Sequence, residues 1–108
     1  MSEHLVKSYE GELEALSTNV AQMGGVAEAL LQGAIDSVAR RDSALADRMV
    51  ESDRRIDEFE RIIESQAVKI LALRQPMGVD LRLTVTSLRI ANEIERIGDM
   101  AKTSPSVR

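Results

Sequence analysis

Asn92, Glu95 and Asp99 follow one another at three- and four-residue steps, so a helix through them lines one face with an amide and two carboxylates. They end a stripe that begins apolar with Leu81, Val85 and Leu88. A second stripe, Leu83, Ser87, Ile90, Ile94, Ile97 and Ala101, stays mostly apolar throughout. Two like charges one turn apart destabilise a helix unless something neutralises them. A divalent or ferric cation (iron, zinc, manganese or magnesium) does this with oxygen ligands. A buried hydrogen-bonded junction, or an ion pair with Arg96 or with an arginine of another helix, fits the same spacing. Glu93 falls on a different face and reads as solvated. Asp53 and Asp57 lie one turn apart further upstream. If their helix runs antiparallel to the one bearing Glu95, the candidate cation ligands are Glu95, Asp99, Asn92, Asp53 and Asp57, with Asp42 near the same end.

Other chemistries find little support. The absence of cysteine removes disulfides, thiolate-held zinc, iron–sulfur ligation and thiol catalysis, and it suits a reducing compartment. His4 is the only histidine and sits near a terminus, far from any paired nucleophile. A Glu-x-x-His pair of the di-iron type is missing, as is a Gly-rich phosphate loop after a strand. No enzymatic turnover is expected. A net charge of −4 leaves no basic surplus to release counterions, and 2% aromatic residues leave little to stack on bases, so nucleic acid is not an expected partner. The stretch from Met1 to Glu14 carries several acids and no apolar signal core, and no run is long enough to span a membrane. A cytoplasmic location without membrane insertion is expected.

Long helices must position these groups. The first, about residues 5–39, carries Leu5, Tyr9, Leu13, Leu16, Val20, Met23, Ala27, Leu30, Ala34 and Val38 at near-heptad spacing. Gly24-Gly25 inside it reads as a local weakness or bend, or alternatively as a close helix crossing. Arg40-Arg41-Asp42-Ser43 marks a corner, the arginines suited to a helix C-terminus and Asp42 to the next N-cap. The second helix, about 43–74, carries Leu45, Met49, Ser52, Ile56, Phe59, Ile63, Gln66, Ile70 and Leu73, with Ile62, Val68 and Leu71 broadening the apolar face. Pro76 ends it. The third runs over about 78–102, with Asp80 as a cap, and 103–108 is a frayed tail. Residues 1–108 therefore predict one all-α domain, an antiparallel three-helix bundle.

Gln75-Pro76-Met77-Gly78-Val79-Asp80-Leu81-Arg82, with Ala91-Asn92-Glu93-Ile94-Glu95-Arg96-Ile97-Gly98-Asp99, resembles the PhoU family of bacterial cytoplasmic phosphate-signalling proteins. Tyr9, Glu12-Leu13 and Met23 fit as well, so the likeness covers nearly the whole chain. The resemblance implies one of the two three-helix repeats usual in that family. It also implies a Glu/Asp-x-x-x-Asp motif, here Glu95 and Asp99, which holds metal ions or iron clusters in some members. The implied function is non-enzymatic: a negative regulator of the phosphate-starvation response, linking the ATPase subunit of a phosphate ABC transporter to a sensor histidine kinase. Two departures stand out. One repeat is present, and Thr103-Ser104-Pro105 stands where the family's third helix usually continues. A natural truncation, a fragment and a divergent single-repeat protein all fit these departures.

Three functional readings follow. The leading one is a regulator of phosphate uptake acting as an adaptor. The alternatives are a metal-binding or structural self-associating protein with no direct phosphate role, and a half-domain that dimerises or interferes with a full-length relative. A homodimer is expected in any case, because two long helices outreach the third and leave an apolar strip uncovered.

Overall fold

A computed structural model describes residues 3–40 and 43–103 of the chain. They form three helices and no strand: α1 Glu3–Arg40, α2 Ser43–Arg74 and α3 Gly78–Thr103. Arg41, Asp42 and the segment 104–108 lie outside the described residues, so the expected Asp42 cap and most of the expected tail lie outside them too. The molecule is a rod of 58 × 21 × 17 Å. Its length is that of α1, since 38 residues at about 1.5 Å each span roughly 57 Å.

Cross-helix contacts fix the topology. Asn19 donates to Gln66 at 3.0 Å and Arg74 to Glu12 at 2.8 Å, so α1 and α2 run antiparallel. Tyr9 meets Asp80 at one end, and Leu30 approaches Gly98 towards the other, so α1 and α3 run parallel. The α1 stripe is borne out in its middle: Leu16, Met23, Ala27 and Leu30 are buried, whereas Leu5 and Val38 at its ends are exposed. On α2 the core line is Ile56, Ile63, Ala67 and Ile70. Ile62 and Val68 do not broaden it: both are exposed, because they project to the flanks of the α2 core line.

α3 departs most from expectation. Its buried line is Thr84, Ser87, Ala91 and Gly98, which shares only Ser87 with the two stripes and runs between them. Leu81, Val85, Ile90 and Ile97 lie on its flanks and are exposed. Small residues on the inner line let α3 approach α1 and α2 closely. At Gly98 an added Cβ would stand 3.5 Å from Ile56 Cδ1 and 3.6 Å from Leu30 Cδ2, already van der Waals distance. Thr84 is fully buried and its hydroxyl donates to the Asp80 carbonyl at 2.8 Å, which satisfies the one polar atom that its burial would otherwise strand.

The α2–α3 corner is stitched to the start of α1. Gln75 takes a left-handed φ of 48° just past α2, and Gly78 opens α3 at φ 60°. Pro76 between them cannot continue a helix. Arg74 reaches back with two parallel hydrogen bonds to Glu12, at 2.9 and 2.8 Å, and lies over the Tyr9 ring. Its hydrogen bonding holds the Glu12 carboxyl below the usual range. Tyr9 donates to Asp80 at 3.0 Å. Asp80 is therefore not an N-cap: α3 begins two residues earlier, and its side chain serves α1 instead.

The glycines test this packing. α1 passes through Gly24-Gly25 without a break, and an added Cβ at either meets nothing within 4 Å, so no close crossing explains them. Gly24→Ala and Gly25→Ala should each stabilise the fold by about 0.5–1 kcal/mol in urea unfolding. Gly98→Ala should be tolerated and Gly98→Leu destabilising, by about 1–3 kcal/mol of overpacking. Gly78→Ala should destabilise because of its positive φ. A stabilising Gly98→Leu would contradict the close seam.

Candidate functional site

Antiparallel α2 and α3 carry acidic lines that meet. On α2, Asp53, Asp57, Glu60 and Glu64 recur at four- and three-residue steps, and on α3 Glu95 and Asp99 lie one turn apart. The register is set by Ile56, whose side chain sits against Gly98. That contact levels Asp57 with Glu95. Because Gly98 lacks a side chain, this end of α3 sits close to α2, and Glu95 is pressed into the junction with only partial exposure.

The electrostatics follow from this placement. Glu95 is pushed up to about 8, first by burial, then by hydrogen bonding with Asp57, then by the negative charges of Asp57, Glu60 and Asp99. Every one of these influences acts in the same direction. Glu95 Oε2 is buried and receives no hydrogen bond. A proton on Glu95 relieves both problems: the neutral acid donates to the Asp57 carboxylate, and one of two repelling charges disappears. Burial and acidic neighbours thus favour the protonated form of Glu95, a group able to release a proton or exchange it for a cation.

The residues expected from sequence separate here. Glu95 and Asp57 are brought together across the helix interface, with Asp99 close enough to act on Glu95 while itself exposed. Asp53 is buried one turn along α2, and Asn92 faces solvent. Arg96 does not answer the carboxylates. It turns outward and pairs with Glu93 at 3.1 Å on the exposed surface, because the two stand three residues apart on the outer face. Glu93 is therefore solvated, as expected, but ion-paired as well. Among the described residues, no group of three or more acidic or histidine side chains is arranged to hold a metal ion. Glu60 was missed by the sequence reading, although its step of three from Asp57 signals the shared face. The Arg74–Glu12 and Tyr9–Asp80 contacts were missed as well, since they join positions more than 60 residues apart.

The raised Glu95 acid predicts a pH dependence. Unfolded, the group returns to about 4.3. Between there and about 8 the folded chain keeps a proton that the unfolded chain gives up. Stability should therefore fall as pH rises through this window, by on the order of 1 kcal/mol per unit at its steepest, and level off above it. Glu95→Gln should flatten the curve and be more stable than the parent at pH 9. Urea midpoints at pH 5, 7 and 9 measure this, and parallel curves for the two proteins would contradict the pairing.

Comparison with known proteins agrees with this architecture. The PhoU domain matches residues 20–103. The "phosphate-specific transport system accessory protein PhoU homolog" of Caulobacter vibrioides is 49% identical over 102 residues, covering 94% of this chain and 44% of the relative. The protein of the same description from Xylella fastidiosa is 49% identical over 98 residues, covering 91% of this chain and 40% of the relative. The Escherichia coli "phosphate-specific transport system accessory protein PhoU" is 39% identical over 101 residues, covering 94% and 42%. The chain thus spans less than half the length of these relatives. No solved structure matches it significantly. The second half of α1, all of α2 and α3 and the Pro76 corner fall within the matched residues, and the chain belongs to the PhoU family.

Proposed function

We propose that this chain is a non-enzymatic accessory regulator of phosphate uptake, acting by binding rather than by turnover. The observation that carries this is 49% identity, over 94% of the chain, to a phosphate-transport accessory protein. In this reading the bundle presents helical faces to the ATPase subunit of the phosphate transporter and to the sensor kinase of the phosphate-starvation response, in the cytoplasm. A rigid three-helix rod suits such a role, since its outer faces are fixed relative to one another by the shared core. Deleting the gene in its host should raise phosphate uptake in phosphate-replete medium, and the wild-type chain should restore repression. Unchanged uptake after deletion would sink the reading.

The chain also forms a homodimer in this proposal. Leu31, Ile35 and Val38 share one flank of α1, and Ile90 and Ile97 share one flank of α3. All five are exposed, Ile35 and Val38 at 63% and 70%. The parallel register that brings Leu30 to Gly98 places the two rows at the same end of the rod. An exposed aliphatic face of this kind supports self-association. Sedimentation equilibrium should give a dimer at high micromolar concentration, and Ile35→Asp with Ile97→Asp should give a monomer. A monomeric parent would defeat this part of the proposal.

A second reading concerns the acidic junction. The Asp57–Glu95 contact supports exchange of the shared proton for a hard cation, with water completing the shell around the two carboxylates. Because a metal that binds only the folded state raises the melting temperature, thermal melts with added iron, zinc, manganese or magnesium, against chelator, test it. Loss of the shift in Glu95→Gln is expected, and no shift in the parent would remove the cation.

A further inference from the structure

α3 carries a second chemical feature on the side away from the core. Arg82, Thr86 and Arg89 follow at four- and three-residue steps, share one line of the helix, and are all exposed. With Gly78, Leu81 and Val85 they line a shallow, open depression that holds no acidic side chain. The α2 surface is different: there Arg54, Arg55 and Arg61 alternate with Glu51, Asp57 and Glu58, and Arg54 is bonded to Glu51 at 3.2 Å. On α3 the nearby acids are engaged elsewhere, Asp80 by Tyr9 and Glu93 by Arg96. Among the described residues Arg82 and Arg89 make no ion pair. The result is a local surplus of two positive charges on a chain of net charge −4. It lies beside Leu81 and Val85, which are 39% and 37% exposed.

We propose that this outward face of α3 docks an acidic amphipathic helix of a protein partner, whose carboxylates meet Arg82 and Arg89 while its aliphatic side chains cover Leu81 and Val85. Two guanidinium groups two turns apart, about 10.5 Å along the axis, match carboxylates at the same interval on a partner helix. Arginine suits such bidentate carboxylate contacts. A small free anion has no use for the aliphatic row, and in the open its attraction to two exposed charges is screened. The α2 surface of a second copy is a poor match, because its acids come interleaved with arginines that would meet Arg82 and Arg89 head-on. The self-association face lies on the opposite flank of α3, so both surfaces are usable together. The proposal rests on the accessory reading in one respect: the partner belongs to the phosphate-transport system.

The test uses the purified phosphate-transport complex of the host in nanodiscs and the full chain. Wild type should bind, and its affinity should fall steeply with salt. Arg82→Glu with Arg89→Glu should lower affinity by about tenfold or more at low salt and flatten the salt dependence, while Arg54→Glu stays within about twofold. Circular dichroism should confirm that the variants are folded, and Arg82→Gln with Arg89→Gln should give an intermediate loss. Unchanged binding by the double reversal, with wild type bound, overturns this surface and leaves the accessory reading standing. No binding by wild type overturns the accessory reading and the surface with it. Two further results would also overturn the partner: a double reversal that converts a dimer to monomer, and saturable shifts of the Arg82 and Arg89 side-chain NMR signals with inorganic phosphate alone.

Discussion

The close contact between α3 and its two neighbours governs the rest of this molecule. Where Leu30 and Ile56 meet Gly98, the only side chain that fits is none, or nearly none. Along the same inner line Thr84, Ser87 and Ala91 are buried and small, so α3 lies low in the groove between α1 and α2. Dispersion and apolar burial fall steeply with separation, and a helix seated this closely gains from both. The large aliphatic residues of α3 are then displaced to its two flanks. That displacement contributes to both exposed surfaces: the aliphatic one beside α1 and the arginine-bearing one on the outside.

The same closeness explains the acid pair. Had residue 98 been a leucine, α3 would ride further from α2, and Glu95 would have water around it. Seated low, it loses hydration and gains only acidic neighbours, Asp57, Glu60 and Asp99. Two ionised carboxylates cannot share such a place cheaply, so one keeps its proton. Packing thus sets protonation, rather than the reverse. At the other end of the rod the cross-helix carboxylates have donors within the chain: Arg74 pairs with Glu12, and Tyr9 donates to Asp80. The bundle therefore has one end whose cross-helix acids are answered by donors and one end where acid faces acid.

Much of this was legible in the residues. The helices and both corners followed from apolar spacing and from Arg40, Ser43 and Pro76, because long periodic stripes with clear punctuation leave few alternatives. Antiparallel α2 and α3 place Asp57 among the possible neighbours of Glu95, but spacing alone does not separate it from Asp53 or Asp42. The rotation of α3 was not legible. Hydrophobic periodicity weights large residues, and on α3 the large residues mark the flanks while Thr84, Ser87 and Gly98 mark the centre. A small residue is silent in such a pattern although it permits the closest approach. The exchange of partners at Arg96 was hidden for the same reason, since its outward direction depends on that rotation.

α1 offers the complementary lesson. Its stripe was read correctly through the middle and failed at Leu5 and Val38, where the rod outruns its neighbours. α1 has 38 residues against 26 in α3, a difference of 12 residues or about 18 Å at 1.5 Å per residue. A stripe continues at constant period whether or not another helix lies beside it, so periodicity reports what a helix is ready to bury rather than what its own bundle covers. The aliphatic residues left over, Ile35 and Val38 above all, sit where the bundle ends and α3 does not reach. Surplus apolar length on one helix, combined with a low-seated neighbour that turns Ile90 and Ile97 to its flank, concentrates uncovered surface at one end. The outer arginine face arises from the seating of α3 alone. The aliphatic surface therefore has two origins, unequal helix length and the small residues in the seam, whereas the arginine face has only the second.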